Sequence, residues 1–192
     1  MNMHPVAKTI NIIGILGLGL VIIGAYTVQF VLNELPCPLC LLQRVGMLMV
    51  MTGFAMNLKF GIRPAHYGMS IIGALFGASV SMRQILLHIV PVPGQPTGYG
   101  TPILGMHLYT WAFIFFMITI FIIAVVILFG KQFETSSDSL TDKSTEPSGS
   151  KLEGFAMFAF YVVFILAAAN VVTSFLECGL GPCPDNPVNY MY

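Results

Sequence analysis

Residues 33–46 read NELPCPLCLLQRVG, and an apolar run continues from them to Leu58. A Cys-x-x-Cys pair stands at the mouth of this run, and Arg44 follows Cys40 by four positions. Pro36 and Pro38 flank Cys37, and proline is accommodated in the first turn of a helix, where its missing N–H has no partner to lose. Cys40 is therefore expected at or near a helix N-terminus. There the free N–H groups and the helix dipole favour an anion, and the thiolate is the nucleophilic form of cysteine. Arg44 lies one turn deeper on the same helix face, and its cation acts in the same direction.

The rest of the chain says where such a helix sits. Of 192 residues, 56% are hydrophobic and 8% charged, and the mean hydropathy is +0.85. That composition excludes an ordinary soluble domain. Five apolar runs approach or reach bilayer length, at 10–32, 41–58, 67–90, 109–129 and 155–176. Backbone groups in lipid must be satisfied within the segment, so each run is expected as a helix. The expected fold class is an all-α integral membrane protein: a four-helix transmembrane bundle over 1–130 with an appended fifth transmembrane helix. The first run follows Lys8, as in a signal peptide, but it is long for one and lacks a small-x-small cleavage site. Between the fourth and fifth runs, KQFETSSDSLTDKSTEPSGSKLE at 131–153 is polar and rich in Ser and Thr, the composition of a disordered linker. Residues 154–192 then hold the fifth helix and a short cysteine-containing tail.

Orientation follows from lysine and arginine outside the spans. Lys8, Lys59, Arg63, Lys131, Lys143 and Lys151 all fall on one side, and 33–40, 91–108 and 177–192 contain none. The N-terminus and the 131–153 linker are expected in the cytoplasm and the C-terminus outside. In a bacterial inner membrane that puts all four cysteines, Cys37, Cys40, Cys178 and Cys183, in the oxidising periplasm, where disulfides persist. The second pair, CGLGPC, has two glycines and a proline, which make a tight disulfide loop feasible. Zinc binding would need the two pairs to converge; their spacings differ, and they lie far apart in sequence. Two purely structural disulfides are a plainer reading, but a Cys-x-x-Cys ring is small and strained, which favours a labile bond. Formal net charge is zero and no basic patch occurs, so nothing points to nucleic acid.

Other polar groups stand in the spans. Arg83 and Gln84 interrupt the third run near its outer end, and His88 follows Gln84 by four. Ionisable residues at such depth are costly and suggest function, although Arg44 or Arg83 alone would also snorkel to the interface. His107 belongs either to a site or to the interface. Tyr109 and Trp111 read as an aromatic belt. Met47, Met49, Met51 and Met56 read as adaptable packing, and Gly14, Gly17 and Gly24 as points of close helix contact. Arg44, His88 and Arg83 share a leaflet with Cys37 and Cys40. Thiols and cations in a membrane pocket suit a lipophilic two-electron acceptor with carbonyl oxygens, and a quinone fits that description.

CPLCLLQR at 37–44 resembles the C-x-x-C-x-x-x-R signature of the DsbB disulfide-bond-formation proteins of bacterial inner membranes. RQILLHIVP and GYGTPILGMHLYTWAF are also similar to that family, and the resemblance covers residues about 8–130. It implies a four-helix bundle that oxidises a periplasmic DsbA-like thioredoxin-fold protein and passes electrons to ubiquinone or menaquinone. It further implies that Cys37 and Cys40 are the quinone-proximal pair, that Arg44 is quinone-associated, and that His88 lies near the quinone. One feature departs from the family: the loop at 91–108 has no cysteine. The expectation here is that Cys178 and Cys183 replace the usual second pair and shuttle electrons to Cys37 and Cys40; a partner that attacks Cys37–Cys40 directly is the weaker route. Two other readings compete. A quinone reductase similar to vitamin K epoxide reductase also combines helices, two cysteine pairs and a quinone, but with the pairs in reversed order. A non-enzymatic membrane scaffold would hold its disulfides for structure only.

Overall fold

A computed structural model describes residues 5–90, 98–128, 150–181, 183–184, 187 and 189–190. It contains five helices among these residues: α1 (Pro5–Val31), α2 (Pro38–Phe60), α3 (Pro64–Leu87), α4 (Leu108–Leu128) and α5 (Ser150–Cys178). All five are long and apolar enough to cross a bilayer, so the chain is an all-α, multi-pass membrane protein.

The helix starts follow from local chemistry. Cys37 is the N-cap of α2, with extended backbone, and its Sγ accepts from the Cys40 N–H at 3.3 Å. Pro38 then occupies the first turn. Helix α3 starts the same way, with Pro64 after an extended Arg63. Gly61, at φ 88°, ends α2 in a conformation that disfavours a side chain.

Several expected bounds shift. Helix α1 starts at Pro5 and takes in Lys8, and α2 extends to Phe60 and takes in Lys59. Helix α3 stops at Leu87 rather than at 90, with His88 as its C-cap. Helix α5 starts at Ser150, so the last four residues of the expected linker are helical. The physical reason is common to all: apolar runs mark the part of a helix in hydrocarbon, whereas backbone hydrogen bonding continues past it. The rest of that linker, 131–149, lies outside the described residues.

Helix α2 is central. In its most apolar stretch 61% is buried inside the protein, against 22% for α4 and for α5. Glycines let α2 and α3 approach backbone to backbone: a Cβ on Gly46 would lie 2.8 Å from the Gly77 Cα, and one on Gly73 would lie 2.6 Å from the Met49 Cβ. Small residues serve this purpose in membranes, where packing drives association. Gly14 of α1 receives the Phe54 ring as expected, but Gly17 and Gly24 have nothing within 4 Å and make no such contact. Met47 and Met51 are buried in the core with Ile15, Ile22, Phe116 and Ile123. Helix α5 adds Ala159, Val163 and Leu166 to that core. Outward-facing Leu20, Phe121, Phe164 and Val171 are exposed, as lipid contact requires.

Remote from the cysteines, a polar clasp joins the ends of α1, α2 and α3. The Asn11 amide donates to the Tyr67 hydroxyl at 3.0 Å, and Asn57 donates to Asn11 Oδ1 at 3.0 Å. Asn57 Oδ1 in turn accepts from the Arg63 N–H. Buried polar groups are tolerated when paired in this way, and the clasp ties the three helices together.

Candidate redox site

The cap at the start of α2 brings Cys37 and Cys40 together, with their sulfurs 2.7 Å apart as free thiols. Cys37 is buried. Its thiol is pushed above the ordinary range, first by the hydrogen bond it shares with Cys40 and then by burial. Of the pair, Cys37 is therefore the member that keeps its proton. One buried amide addresses both sulfurs: Gln84 Nε2 lies 3.2 Å from Cys37 Sγ and 3.5 Å from Cys40 Sγ. The amide is itself held, because Gln84 Oε1 accepts from Gln43 Nε2 at 2.7 Å.

One turn below Cys40, Arg44 is 5% exposed. Its Nη1 donates to Gln29 Oε1 at 2.8 Å and its Nη2 to the Ala25 carbonyl at 3.4 Å. The guanidinium carbon stands 4.6 Å from the centre of the Tyr26 ring, a cation–π contact that strengthens when desolvated. A buried cation in a membrane is stable only with such partners.

Cys40, Gln43 and Arg44 line a cavity of about 400 Å³ whose remaining wall is mainly apolar, including Val28, Met47 and Phe115. The segment before α4 forms part of its wall, through Tyr99, Gly100, Ile103 and Leu104. The Tyr99 hydroxyl donates to the Leu35 carbonyl at 2.7 Å, and Thr101 binds the Glu34 carboxylate through both its N–H and its hydroxyl. Burial pushes the Tyr99 phenol up. Tyr99 thus remains a donor.

The structure sorts the remaining candidates. His88 stacks on Tyr109 at 5.5 Å, and His107 also stacks on Tyr109, at 5.2 Å. Tyr109 lines the cavity, so His88 stands one ring away from it, with Nδ1 2.8 Å from the Gln84 carbonyl oxygen. The aromatic-belt reading of Tyr109 is corrected: it is 5% exposed and forms cavity wall. Trp111 also lines the cavity, and its indole donates to the Ile103 carbonyl at 3.0 Å. Arg83 is not brought to the cavity. It is exposed, in a groove with Leu75, Met82, Leu86 and Phe113, the placement of a snorkelling side chain.

At the end of α5, Cys178 and Cys183 are joined in a disulfide with Cα atoms 4.5 Å apart. Cys178 is buried and Cys183 half-buried, and Leu180 between them is 95% exposed. Among the described residues no hydrogen bond joins this pair to Cys37 and Cys40. The tail nevertheless returns to the site: Gln29 Nε2 donates to the Tyr190 hydroxyl at 3.0 Å. Glu177 is 1% exposed, with Oε2 lacking a hydrogen-bond partner among the described residues.

Sequence reading passed over Gln29, Tyr26, Glu177 and Tyr190, and it noted Gln84 without placing it in the site. The usable signal was present for three of these: Gln29, Gln84 and Glu177 are polar groups within membrane-length helices. What Gln29 faces became visible only when α1 was packed against α2.

The chain is similar to known disulfide bond formation proteins. The model of the family "Disulfide bond formation protein DsbB" matches residues 7–126. "Disulfide bond formation protein B 1" of Pseudomonas fluorescens is 31% identical over 143 residues, covering 58% of this chain and 83% of that protein. "Disulfide bond formation protein B" of Pseudomonas syringae pv. tomato is 30% identical over 148 residues, 61% of this chain and 86% of the relative. The protein of the same name in Chromobacterium violaceum is 39% identical over 74 residues, 35% and 43% of the two chains. No solved structure matches.

Proposed function

This chain belongs to the DsbB family of disulfide bond formation proteins, and from that premise we propose that it is a thiol:quinone oxidoreductase. On this reading it reoxidises a periplasmic DsbA-like thioredoxin-fold protein and delivers the electrons to ubiquinone or menaquinone. It works in the bacterial inner membrane, with the N-terminus in the cytoplasm and the C-terminus in the periplasm. The observation that carries the reading is the shared cavity: a redox-capable sulfur, Cys40, and a buried cation, Arg44, stand on one otherwise apolar wall.

The residues fit a quinone. A flat apolar ring with carbonyl oxygens needs an apolar slot and a donor that carries no competing negative charge, and Arg44 offers only donors. A bound quinone supplies a two-electron, two-proton acceptor. The chain's own residues do the rest. Gln84 addresses both sulfurs, Arg44 would donate to a carbonyl oxygen, and the Tyr99–Leu35 and Thr101–Glu34 bonds tie the segment before α4 to the chain just ahead of α2.

Disulfide exchange proceeds by thiolate attack through a mixed disulfide. The partner's thiolate attacks Cys183, the more exposed sulfur, and the Cys178–Cys183 bond breaks with its electron pair on Cys178. The partner's second thiol then displaces Cys183, so the partner leaves oxidised and Cys178 and Cys183 leave as a dithiol. That dithiol next reduces a Cys37–Cys40 disulfide by the same exchange, and Cys37 and Cys40 pass the two electrons on. Direct attack on Cys37 is disfavoured by its burial. The chain order of the pairs argues against a reductase similar to vitamin K epoxide reductase.

The test is trapping. With Cys178→Ser, an oxidised Cys37–Cys40 pair takes up the two electrons as Cys183 and the thiol of a single-cysteine thioredoxin-fold partner join in a mixed disulfide, which is expected to be stable because Cys178 is no longer there to resolve it. An adduct that persists after Cys178 and Cys183 are both replaced, and is lost with Cys37→Ser, would move the entry point to the first pair.

A further inference from the structure

We infer that the C-terminal tail is a working part of the arginine site, with Tyr190 acting through Gln29 as a positioning residue for Arg44. The inference rests on the quinone reading of the cavity, but on different contacts.

Arg44 is buried, and among the described residues no carboxylate pairs with it directly. Its direction is set by the Gln29 oxygen, the Ala25 carbonyl and the Tyr26 ring. Gln29 is the adjustable member, because its amide carries a donor at one end and an acceptor at the other. Arginine has only donors, so the amide oxygen must face Arg44, and the amide nitrogen must then find an acceptor elsewhere. Gln29 is 2% exposed, so water is a poor source. The Tyr190 hydroxyl fills the role at 3.0 Å. Rotating the amide by half a turn would set N–H against N–H at Arg44 and leave the tyrosine facing a carbonyl. Arg44 thus decides which end of the amide faces it, and the Tyr190 hydroxyl holds the buried amide N–H at the other end.

The chain reaches this place through the turn at the end of α5. Gly179, at φ 61°, closes the helix, with its N–H on the Phe175 carbonyl at 2.8 Å, and the Cys178–Cys183 disulfide holds the turn. Glu177, in the last helical turn and 1% exposed, adds a carboxylate to the electrostatic surroundings of Arg44. The family match ends at residue 126. Everything α5 and the tail contribute to Arg44 is therefore additional to the matched bundle.

The test uses the full-length protein in lipid nanodiscs and a short-chain soluble quinone. Trp111 is the one tryptophan of the chain and lines the cavity, so its fluorescence quenching reports binding without turnover. Tyr190→Phe removes the acceptor and keeps the ring. It should weaken quinone binding roughly three- to tenfold, the range for one lost hydrogen bond. Gln29→Leu removes both the acceptor for Arg44 and the donor to Tyr190, and so breaks the link between them. In that background Tyr190→Phe should change binding less than about twofold. Wild-type affinity in Tyr190→Phe would overturn the inference, as would an equal loss with and without Gln29→Leu, which marks a merely structural tyrosine. Absence of quenching in the wild type would overturn the quinone reading itself, and this inference with it.

Discussion

Gln84 Nε2 lies 3.2 Å from Cys37 Sγ, placing a buried neutral amide of α3 against a sulfur at the cap of α2. The same nitrogen is 3.5 Å from Cys40 Sγ, so one donor serves whichever sulfur carries charge. Hydrogen bonds to ionised acceptors are the stronger kind, and burial removes competition from water. Gln84→Leu should slow reduction of quinone by the Cys37–Cys40 dithiol by about tenfold, from a loss of about 1.4 kcal/mol. It should also cost about 1–3 kcal/mol of stability, because Gln43 loses its acceptor. Single-turnover absorbance and thermal unfolding of the same sample check the two parts.

Arg44 and Arg83 separate by burial. Arg44→Lys keeps a charge but loses the planar fork that spans Gln29 and Ala25 and the stacking on Tyr26. Quinone affinity should fall on the order of tenfold or more. Arg83→Ala, which alters only an exposed groove, should shift it by less than about twofold. Trp111 quenching measures both. A large effect of Arg83→Ala would mean the cavity is not the quinone site.

Replacing Cys178 and Cys183 together with serine should abolish oxidation of the thioredoxin-fold partner and leave quinone binding within a few-fold of wild type. Partner thiol titration and Trp111 quenching give the two readings. Full partner oxidation in this variant would show that Cys178 and Cys183 carry no electrons.

The α2–α3 seam is as specific as the site it supports. A Cβ on Gly46 meets the Gly77 backbone at 2.8 Å, where no side chain can swing aside. Gly46→Leu should destabilise by about 1–3 kcal/mol through overpacking, and it should displace Gln84 from the cysteines. Loss of thermal stability together with slower quinone reduction is expected. Gly17→Ala, at a glycine with open space around it, should leave both unchanged.

Hydropathy and proline placement made the helices legible in the sequence, down to Cys40 in the first turn of α2 and Arg44 one turn below. These are local properties, carried by composition and by offsets of four. Apart from the helix bounds, the failures are non-local. Gln29 and Arg44 are 15 residues apart, and nothing in either stretch says that α1 packs its glutamine against α2. Arg83 and Gln84 are neighbours in sequence, but successive helical positions point about 100° apart; one faces the cysteines and the other the exterior. Tyr109 read as interfacial because an aromatic at a helix start usually is. It is buried here, with the His88 and His107 rings both stacked against it.

The central claim is that electrons entering at Cys178–Cys183 leave through the Arg44 cavity to a quinone. The most direct measurement mixes catalytic amounts of the purified protein with a reduced thioredoxin-fold partner and excess soluble quinone, and follows quinone absorbance. The account predicts multiple turnovers with one quinone consumed per partner disulfide formed, and none after Cys40→Ser. Quinone absorbance that stays constant while the partner remains reduced, with quinone bound and the partner matched, would contradict it.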